Sequence, residues 1–270
     1  MADSDKVFSG FIPKLYDTYL VPMIFAAYAE DLADRVVAFS PKNVLETAAG
    51  SGVVTRVLAA RLDPAARYVV TDLNQPMLDY AASRQGHDDR INWQQADALN
   101  LPFEDASFDV VVCQFGVMFF PDRIAGYAEA KRVLKPGGQF LFSVWDHIGV
   151  NEFADIVNQT AAMIFPEDPP QFLPRTPYGY YDVGTIRDEL TSAGFADVSF
   201  STLAETSPAP SPRHVAVAFC EGTPLRSEIE ARDANLLDHV TERATQAIAE
   251  RCGNGTIAAK IQAHVLAAVA

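Results

Sequence analysis

Apolar and polar stretches alternate with a regular rhythm in the first half of the chain. Short apolar runs rich in Val, Ile and Leu alternate with segments whose apolar residues recur at helical spacing. The predicted strands cover 43–46, 67–71, 91–94, 108–114 and 139–145, and the predicted helices cover 53–62, 77–84 and 123–134. Strands that alternate with helices over short connections predict a parallel, doubly wound sheet with right-handed crossovers.

The two ends of the chain follow other patterns. Leu32, Val36 and Phe39 recur at helical spacing, so we predict a first helix that Pro41 stops, after a mixed segment that starts at Phe8. Beyond Trp145 we predict a helix over 151–165, an irregular loop over 166–181, a helix over 183–193, a strand over 196–206, mostly helix over 213–251 and a last strand over 261–269.

Composition and charge limit the classes of function. The 270 residues are 49% hydrophobic and 21% charged, which is enough apolar material for a full core. The net charge of −14 repels phosphate backbones and anionic lipid, so we expect neither nucleic acid nor a membrane as a partner. The three cysteines lie far apart without the spacing of a zinc site, so we expect no metal and a reducing compartment.

Targeting signals are not visible in the sequence. The chain begins MADSDK without an apolar stretch behind a basic start, so we expect no signal peptide. Every apolar run is shorter than the roughly 20 residues that a membrane helix needs. We therefore expect a cytoplasmic protein.

A strand, a glycine loop and a helix between Leu45 and Thr55 are the first candidate for chemistry. Gly50 and Gly52 let the backbone approach a ligand closely, and the next helix offers unpaired N–H groups. Asp72, at the end of the second strand, is placed to accept both hydroxyls of a ribose. This pattern favours a nucleoside cofactor at the carboxyl edge of the sheet. Taken alone, it also fits many dinucleotide folds, or a tight turn that needs glycine.

Asp97 follows the third predicted strand within Ala96-Asp97-Ala98. Its carboxylate can accept a hydrogen bond from the exocyclic amine of adenine. A redox Rossmann site usually needs no acidic residue at this position. The alternative is a helix cap or a solvated loop residue. Further along, LPFEDASFD leads into the fourth strand, and LKPGG predicts a break between a helix and the fifth strand.

Five motifs in order now support a resemblance. ETAAGSG, TD at 71–72, AD at 96–97, LPFEDASFDVVVCQF and RVLKPGG resemble the successive motifs of class I S-adenosylmethionine (SAM)-dependent methyltransferases. Within them, the chain is similar to the small-molecule group that includes the ubiquinone/menaquinone-type enzymes. The resemblance covers roughly 43–145. It implies a cofactor, SAM, and a product, S-adenosylhomocysteine (SAH).

The resemblance also implies an architecture. We expect an α/β, Rossmann-like doubly wound sheet of seven strands with an antiparallel final pair, a helical lid and a C-terminal helical insertion. A single domain over 1–270 would comprise an N-terminal helical cover (1–42), a cofactor-binding core (43–146), a lid and substrate region (147–195) and the last strand pair with its helical insertion (196–270).

The family's cofactor contacts can be carried over residue by residue. The resemblance places Glu46, Ala48, Gly50, Gly52, Gln114 and Phe115 at the methionine end, Asp72 at the ribose, and Leu73, Met77, Asp97 and Ala98 at the adenine. The family often has Gly where this chain has Ala48, and we expect a slight adjustment of the loop. Tyr16 and Tyr19, ahead of the first predicted helix, would fold over the cofactor or only staple the N-terminal segment to the domain.

The acceptor side is less defined. Because the sulfonium is already activated, methyl transfer needs mainly alignment and exclusion of water, and a base only where the nucleophile must lose a proton. His147 is the best-placed candidate base, and a solvent-exposed loop histidine is the alternative. Aromatic residues that predict a pocket for an apolar or aromatic small molecule, or else plain core packing, are Phe119, Trp145, Phe172, Tyr178 and Tyr181.

Two other functions remain open from the sequence. An NAD(P)-dependent oxidoreductase would share the glycine loop and Asp72, but Thr55 stands in place of its third glycine. A non-catalytic SAM-binding protein would share every cofactor motif. The sequence allows a monomer or a homodimer.

Overall fold

The computed structural model describes residues 12–270 and contains one seven-stranded sheet. The strands are β1 (Asn43–Glu46), β2 (Arg67–Asp72), β3 (Ile91–Gln95), β4 (Phe108–Gln114), β5 (Leu134–Trp145), β6 (Asp197–Ala209) and β7 (Ile257–Val269). Their order across the sheet is β3-β2-β1-β4-β5-β7-β6.

Helices precede β1 and lie in the intervals between the strands, except between β3 and β4. They are α1 (Ile12–Leu15), α2 (Ala26–Ala38), α3 (Val53–Ala59), α4 (Gln75–Gln85), α5 (Arg123–Val133), α6 (Glu152–Ile164), α7 (Phe172–Arg175), α8 (Val183–Ser192), α9 (Pro212–Cys220), α10 (Leu225–Arg232) and α11 (Leu237–Cys252). A π-helical stretch, Tyr16–Phe25, joins α1 to α2, and single 3₁₀ turns lie at Val117–Phe119 and Ile148–Val150.

The direction of the strands confirms the predicted fold class. β1 pairs in parallel with β2 and β4, β2 with β3, and β4 with β5. β7 runs the other way beside β5, because Gly137 donates its N–H to Ala270 at 3.0 Å while Asp146 donates to Gln262 at 3.1 Å. α9, α10 and α11 form the predicted helical insertion between β6 and β7. The doubly wound sheet with an antiparallel final pair is therefore confirmed.

Contacts between residues divide the chain into two compact units. The first unit contains the described residues up to Ala26, together with Trp145–Tyr180 and Ala204–Ala263. Inside it, α11 packs against α9 and α6, and the π-helical stretch packs against α9. The second unit contains Ala27–Val144, Tyr181–Leu203 and His264–Ala270.

The core of the second unit explains why β4 is almost purely valine. Val110 and Val112 are fully buried and pack with Val44 of β1 and with Leu32 and Val36 of α2. Helices α5 and α8 contact each other within the same unit. A parallel strand covered on both faces has no solvent side on which polar residues are favoured.

One sequence prediction about β5 is wrong. The Pro-Gly break expected after α5 lies inside the strand, as an irregularity between the pairs Phe108–Leu134 and Val110–Gln139. Gly137 has a φ of 78° and donates its N–H to the last residue of the chain. The partner that keeps this segment in the sheet is 133 residues away in sequence, so local pattern could not reveal it.

The predicted start of the first helix is also wrong. Tyr16 and Tyr19 do not precede it but lie in the π-helical stretch that continues into α2. Pro22 within this stretch has no N–H and interrupts the helical signal in the sequence. The helix ends at Ala38, three residues before Pro41.

Other segment boundaries differ by a few residues. The predicted loop over 166–181 contains the short helix α7, and the predicted helical region over 213–251 is three helices. β6 continues through Ser207 to Ala209, where a break was expected. Residues 1–11 lie outside the described residues. The start of the predicted N-terminal cover and the prediction that there is no signal peptide both concern this segment.

Membrane-spanning helices and metal-binding clusters are both absent from the described residues. Within 12–270, no helix has both the length and the apolar character to cross a membrane. The same part of the chain contains no cluster of His, Cys, Asp and Glu suited to hold a metal ion.

Candidate functional site

The loop that follows β1 has an unusual backbone. Ala48, Gly50 and Gly52 all have positive φ angles, of 52°, 58° and 79°. The N–H of Ala49 donates to Thr71 at the end of β2, at 3.0 Å. The loop therefore curls tightly between the ends of two neighbouring strands before α3 begins at Val53.

Ala48 fits into this loop because a glycine lies opposite. A Cβ atom built on Gly116 would lie 2.5 Å from the Cβ of Ala48 and 2.7 Å from Sγ of Cys113. The methyl group that distinguishes this chain from the family pattern thus occupies space that Gly116 leaves free. Ala48 nevertheless adopts a left-handed conformation that disfavours any residue with a Cβ.

Asp72 joins the glycine loop to the end of β2. Its Oδ2 accepts the N–H of Gly50 at 2.8 Å, and its Oδ1 accepts the N–H of Asn74 at 2.7 Å. The residue is only 6% exposed, and burial raises the pKa of its carboxyl, although the N–H groups of Asn74 and Gly50 oppose that rise. A buried carboxylate is thus held in place by backbone groups on both sides.

Glu46 lies at the carboxyl end of β1 and is almost fully buried. Its Oε2 accepts hydrogen bonds from the hydroxyl of Thr55, at 2.7 Å, and from the hydroxyl of Tyr68. Burial raises the pKa of Glu46 to about 7, against the lowering effect of these two donors, and the nearby charge of Asp72 adds to the rise. This carboxyl is therefore poised to change its charge near neutral pH.

The residues assigned to the adenine lie at the ends of β2 and β3. Leu73 is 46% exposed, whereas Met77 on α4 is buried. Asp97 is exposed, and its Oδ1 accepts the N–H of Leu99 at 2.9 Å, so the carboxylate also closes a turn. Gln95 links the two strand ends by donating to the carbonyl of Leu73 at 2.8 Å.

Gln114 and Phe115 end β4 beside β5. Phe115 has a positive φ of 52° and donates its N–H to the carbonyl of Ser143 at 3.1 Å. Its ring meets the ring of Tyr28 edge-on, with centroids 5.4 Å apart. The strained backbone at Phe115 turns the chain away from the sheet directly after Gln114, at the edge where ligands of open α/β sheets bind.

The first unit holds a chain of aromatic rings. The ring of Trp145 lies 5.8 Å from that of Phe25 and 5.9 Å from that of Tyr178. Tyr16 stacks on Phe25 at 5.0 Å, and Tyr19 lies 4.6 Å from the ring of His214, which is a separate contact. The structure therefore brings two of the predicted pocket residues, Trp145 and Tyr178, together within this unit.

The other predicted pocket residues are dispersed. Phe172 is buried in the first unit, at the start of α7. Phe119 and Tyr181 belong to the second unit, where Phe119 is half-buried and Tyr181 is 38% exposed. Their role as a common acceptor pocket stays a prediction.

His147 caps the 3₁₀ turn that follows β5. Its Nδ1 accepts the N–H of Gly149 at 3.1 Å, and its own N–H donates to Oδ1 of Asp146 at 2.6 Å. In the neutral ring, this arrangement places the proton on Nε2. A role as a base would require the ring to give up the bond to Gly149, so the assignment stays a prediction.

Sequence reasoning missed several residues of this region. Thr55 and Tyr68 hold Glu46, Asn74 holds Asp72, and Gly116 makes room for Ala48. The hydroxyl of Ser51, inside the glycine loop, is buried and has no hydrogen-bond partner in the part of the chain that the structure describes. Ser51, between two glycines, and Asn74, two residues after Asp72, had local signals. Thr55, Tyr68 and Gly116 act through contacts between different segments, which a local pattern does not show.

Comparisons with known proteins agree with this geometry. Residues 45–142 match the methyltransferase domain family. The chain is 41% identical over 110 residues to a demethylmenaquinone methyltransferase of Deinococcus radiodurans, over 40% of this chain and 45% of that protein. It is 29% identical over 177 residues to the demethylmenaquinone methyltransferase of Clavibacter sepedonicus, over 62% of this chain and 71% of that protein.

A solved structure extends the likeness of the fold. Phosphoethanolamine N-methyltransferase 2 of Haemonchus contortus, in complex with phosphomonomethylethanolamine and SAH, superposes with a TM-score of 0.59 at 18% identity, over 95% of this chain and 56% of that one. The chain thus spans less than half the length of the Deinococcus relative that it matches. Residues 45–142 therefore match a methyltransferase domain, and the chain is similar to SAM-dependent methyltransferases of the ubiquinone/menaquinone type.

Proposed function

We propose that the chain binds SAM and transfers its methyl group to an apolar or aromatic small molecule. The observation that carries the proposal is the hydrogen bond from Gly50 to Asp72, which holds a buried carboxylate against the glycine loop. The methyltransferase match over 45–142 supports the same cofactor and opposes a nicotinamide enzyme.

The polar groups in and beside the glycine loop fit the chemical groups of this cofactor. Asp72 would accept ribose hydroxyls, since a carboxylate offers about four acceptor sites. The unpartnered Ser51 hydroxyl and the backbone around Gly50 suit the charged methionine end. Met77 supplies an apolar surface beside the loop, because a Cβ built on Gly50 would lie 3.7 Å from its Cε.

When bound, SAM supplies a methyl group that its sulfonium has already activated. The protein's own task is then to align the acceptor and to exclude water. Gln114 and Phe115 would hold the methionine end beside β4, and Glu46 would keep the loop in shape through Thr55. A proton needs to be removed only if the acceptor's nucleophile carries one.

The class of acceptor rests on this chain's own residues outside the matched core. The aromatic residues that the sequence offers for an acceptor pocket favour a flat, apolar molecule. The named activity of the relatives makes a naphthoquinol the first acceptor to examine. The cytoplasmic location and the choice between monomer and homodimer stay predictions.

Calorimetric titration tests the cofactor. Protein stripped of co-purified ligand is titrated with SAM, SAH and NADH. Micromolar binding of SAM and SAH without NADH is the expected result. Binding of NADH alone would indicate an NAD(P)-dependent oxidoreductase instead. SAM binding without turnover on a broad panel of acceptors would favour a non-catalytic SAM-binding protein.

A further inference from the structure

A buried hydroxyl at the end of β5 has no part in the cofactor motifs. Ser143 is 1% exposed, and its Oγ has no hydrogen-bond partner among residues 12–270. Buried polar groups in folded proteins are nearly always paired, because an unpaired one has lost its water without replacement. An alanine here would fill almost the same space without that cost.

The alternation of side chains along β5 defines where this hydroxyl points. Phe140 and Phe142 pack against Tyr127 of α5, with ring centroids 5.9 and 5.5 Å away. Leu141 lies on the opposite face, in the core that also contains residues of α2. Successive side chains of a strand point to opposite faces, so Ser143 shares the face of Leu141.

On the neighbouring strand, the same face leads to Gln114. Val112 of β4 pairs with Leu141 of β5, and Gln114 pairs with Ser143 one step nearer the carboxyl end. Val112 and Leu141 are the last apolar pair in this direction. The two polar side chains therefore follow directly above the apolar core, at the carboxyl edge of the sheet.

The strand order places Ser143 beyond the cofactor. Asp72 ends β2, the glycine loop follows β1, Gln114 ends β4, and Ser143 lies on β5. Adjacent strands are about 4.8 Å apart, so Ser143 lies about 14 Å across the sheet from the strand of the ribose carboxylate. With the methionine end beside β4, the next strand is where a methyl acceptor would lie.

We infer that the Ser143 hydroxyl binds an oxygen atom of the acceptor, which is therefore an apolar ring carrying a hydroxyl or carbonyl group. This inference rests on the proposed function and narrows its acceptor. A serine hydroxyl both donates and accepts, so it serves a phenol or a quinone equally. Ser143 is a specificity-determining residue and takes no part in bond making.

The test compares two probes that differ in a single hydroxyl, 1-naphthol and naphthalene. Their affinities are measured for the wild-type protein saturated with SAH, and for Ser143→Ala. We expect the wild type to bind 1-naphthol about three- to tenfold more tightly than naphthalene, the contribution of one neutral hydrogen bond. In Ser143→Ala this ratio should fall to about one, with SAH affinity unchanged.

Ser207→Ala is the matched control. Ser207 on β6 is also fully buried with an unpartnered Oγ among the described residues, but β7 separates its strand from β5 in the sheet. Its variant should keep the wild-type ratio of probe affinities. Neither alanine variant should lower the thermal midpoint of the ligand-free protein, because neither hydroxyl has a protein partner to lose.

Several results would overturn the inference. These are an unchanged probe ratio in Ser143→Ala, a lowered midpoint of that ligand-free variant, loss of SAH affinity instead of naphthol affinity, or a wild type that binds neither probe. Absence of SAH binding by the wild type would instead reject the proposed function. In that case the probe ratio, measured without SAH, still decides the role of Ser143.

Discussion

The backbone N–H of Gly50 donates to Oδ2 of Asp72 at 2.8 Å, and this bond joins the loop after β1 to the end of β2. One carboxylate thereby has two tasks. It holds the glycine loop in its left-handed conformation, and in the proposed function it offers its remaining acceptor sites to a ribose. Loop shape and cofactor affinity should therefore change together when Asp72 changes.

Asp72→Asn tests this coupling. An amide has one acceptor oxygen in place of two, so it cannot serve both Gly50 and a ribose hydroxyl without loss. We expect the affinity for SAH to fall by about 10- to 100-fold, as for loss of hydrogen bonds to a charged group. Asp79→Asn, on the exposed side of α4, is the control for charge. Equal SAH affinity in the Asp72 variant would reject the ribose assignment.

Glu46 should make stability depend on pH. Its pKa in the folded protein is about 7, above the ordinary value of 4.5, so the folded state holds this proton more tightly than the unfolded state. The resulting stabilisation is fully present below about pH 4.5 and is lost as the pH rises through 7. A pKa difference of this size corresponds to about 3 kcal/mol.

Denaturant unfolding of wild type and Glu46→Gln at pH 5, 6.5 and 8 measures this effect. The free energy of unfolding of the wild type should decrease relative to that of the variant across this range, because glutamine does not ionise. Parallel pH dependence of the two proteins would show that Glu46 keeps an ordinary pKa.

Ala48→Gly should stabilise the protein, against the usual direction of such a change. The left-handed φ of 52° costs a residue with a Cβ about 1 kcal/mol, which glycine does not incur. Ala49→Gly is the adjacent control. Ala49 is buried and lacks a positive φ, so that change should destabilise by about 1 kcal/mol. The free energy of unfolding of each variant is measured relative to that of the wild type. Changes of the same sign for both variants would contradict this explanation.

The hypothesis that His147 is a base has its own test. His147→Asn keeps a side-chain acceptor for the N–H of Gly149 but removes the basic nitrogen. If the imidazole accepts a proton from the acceptor, kcat at pH 7 should fall about 100-fold or more, with little change in unfolding free energy. His239→Asn, at an exposed position of α11, controls for loss of a histidine. Wild-type turnover by the His147 variant would leave only the capping role.

Prediction from the sequence was most accurate where the information is local. The bounds predicted for β1 and β4 are those of the structure, and β2 and β3 differ by one residue each. These strands are short and bounded by turn residues, so neighbouring positions determine them. The segment from Lys135 to Gly138 was predicted wrongly because its hydrogen-bond partner is the end of the chain.

The candidate site shows the same division. The positions of Gly50, Gly52 and Asp72 at the ends of strands could be predicted, since motif order and spacing place them there. The hydroxyls of Thr55 and Tyr68 on Glu46 could not, because they depend on how α3 and β2 pack around β1. Likewise, no local pattern indicates that Ser143 is buried without a partner.

The sequence by itself determined the order of elements, the resemblance to methyltransferases and the strand ends that carry the motifs, because periodicity and turn chemistry act over a few residues. Only the tertiary structure decided the ionisation of Glu46, the room that Gly116 leaves for Ala48, and the place of Ser143 across the sheet from Asp72. Those properties arise from burial and from contacts between distant segments, which exist only once the chain has folded.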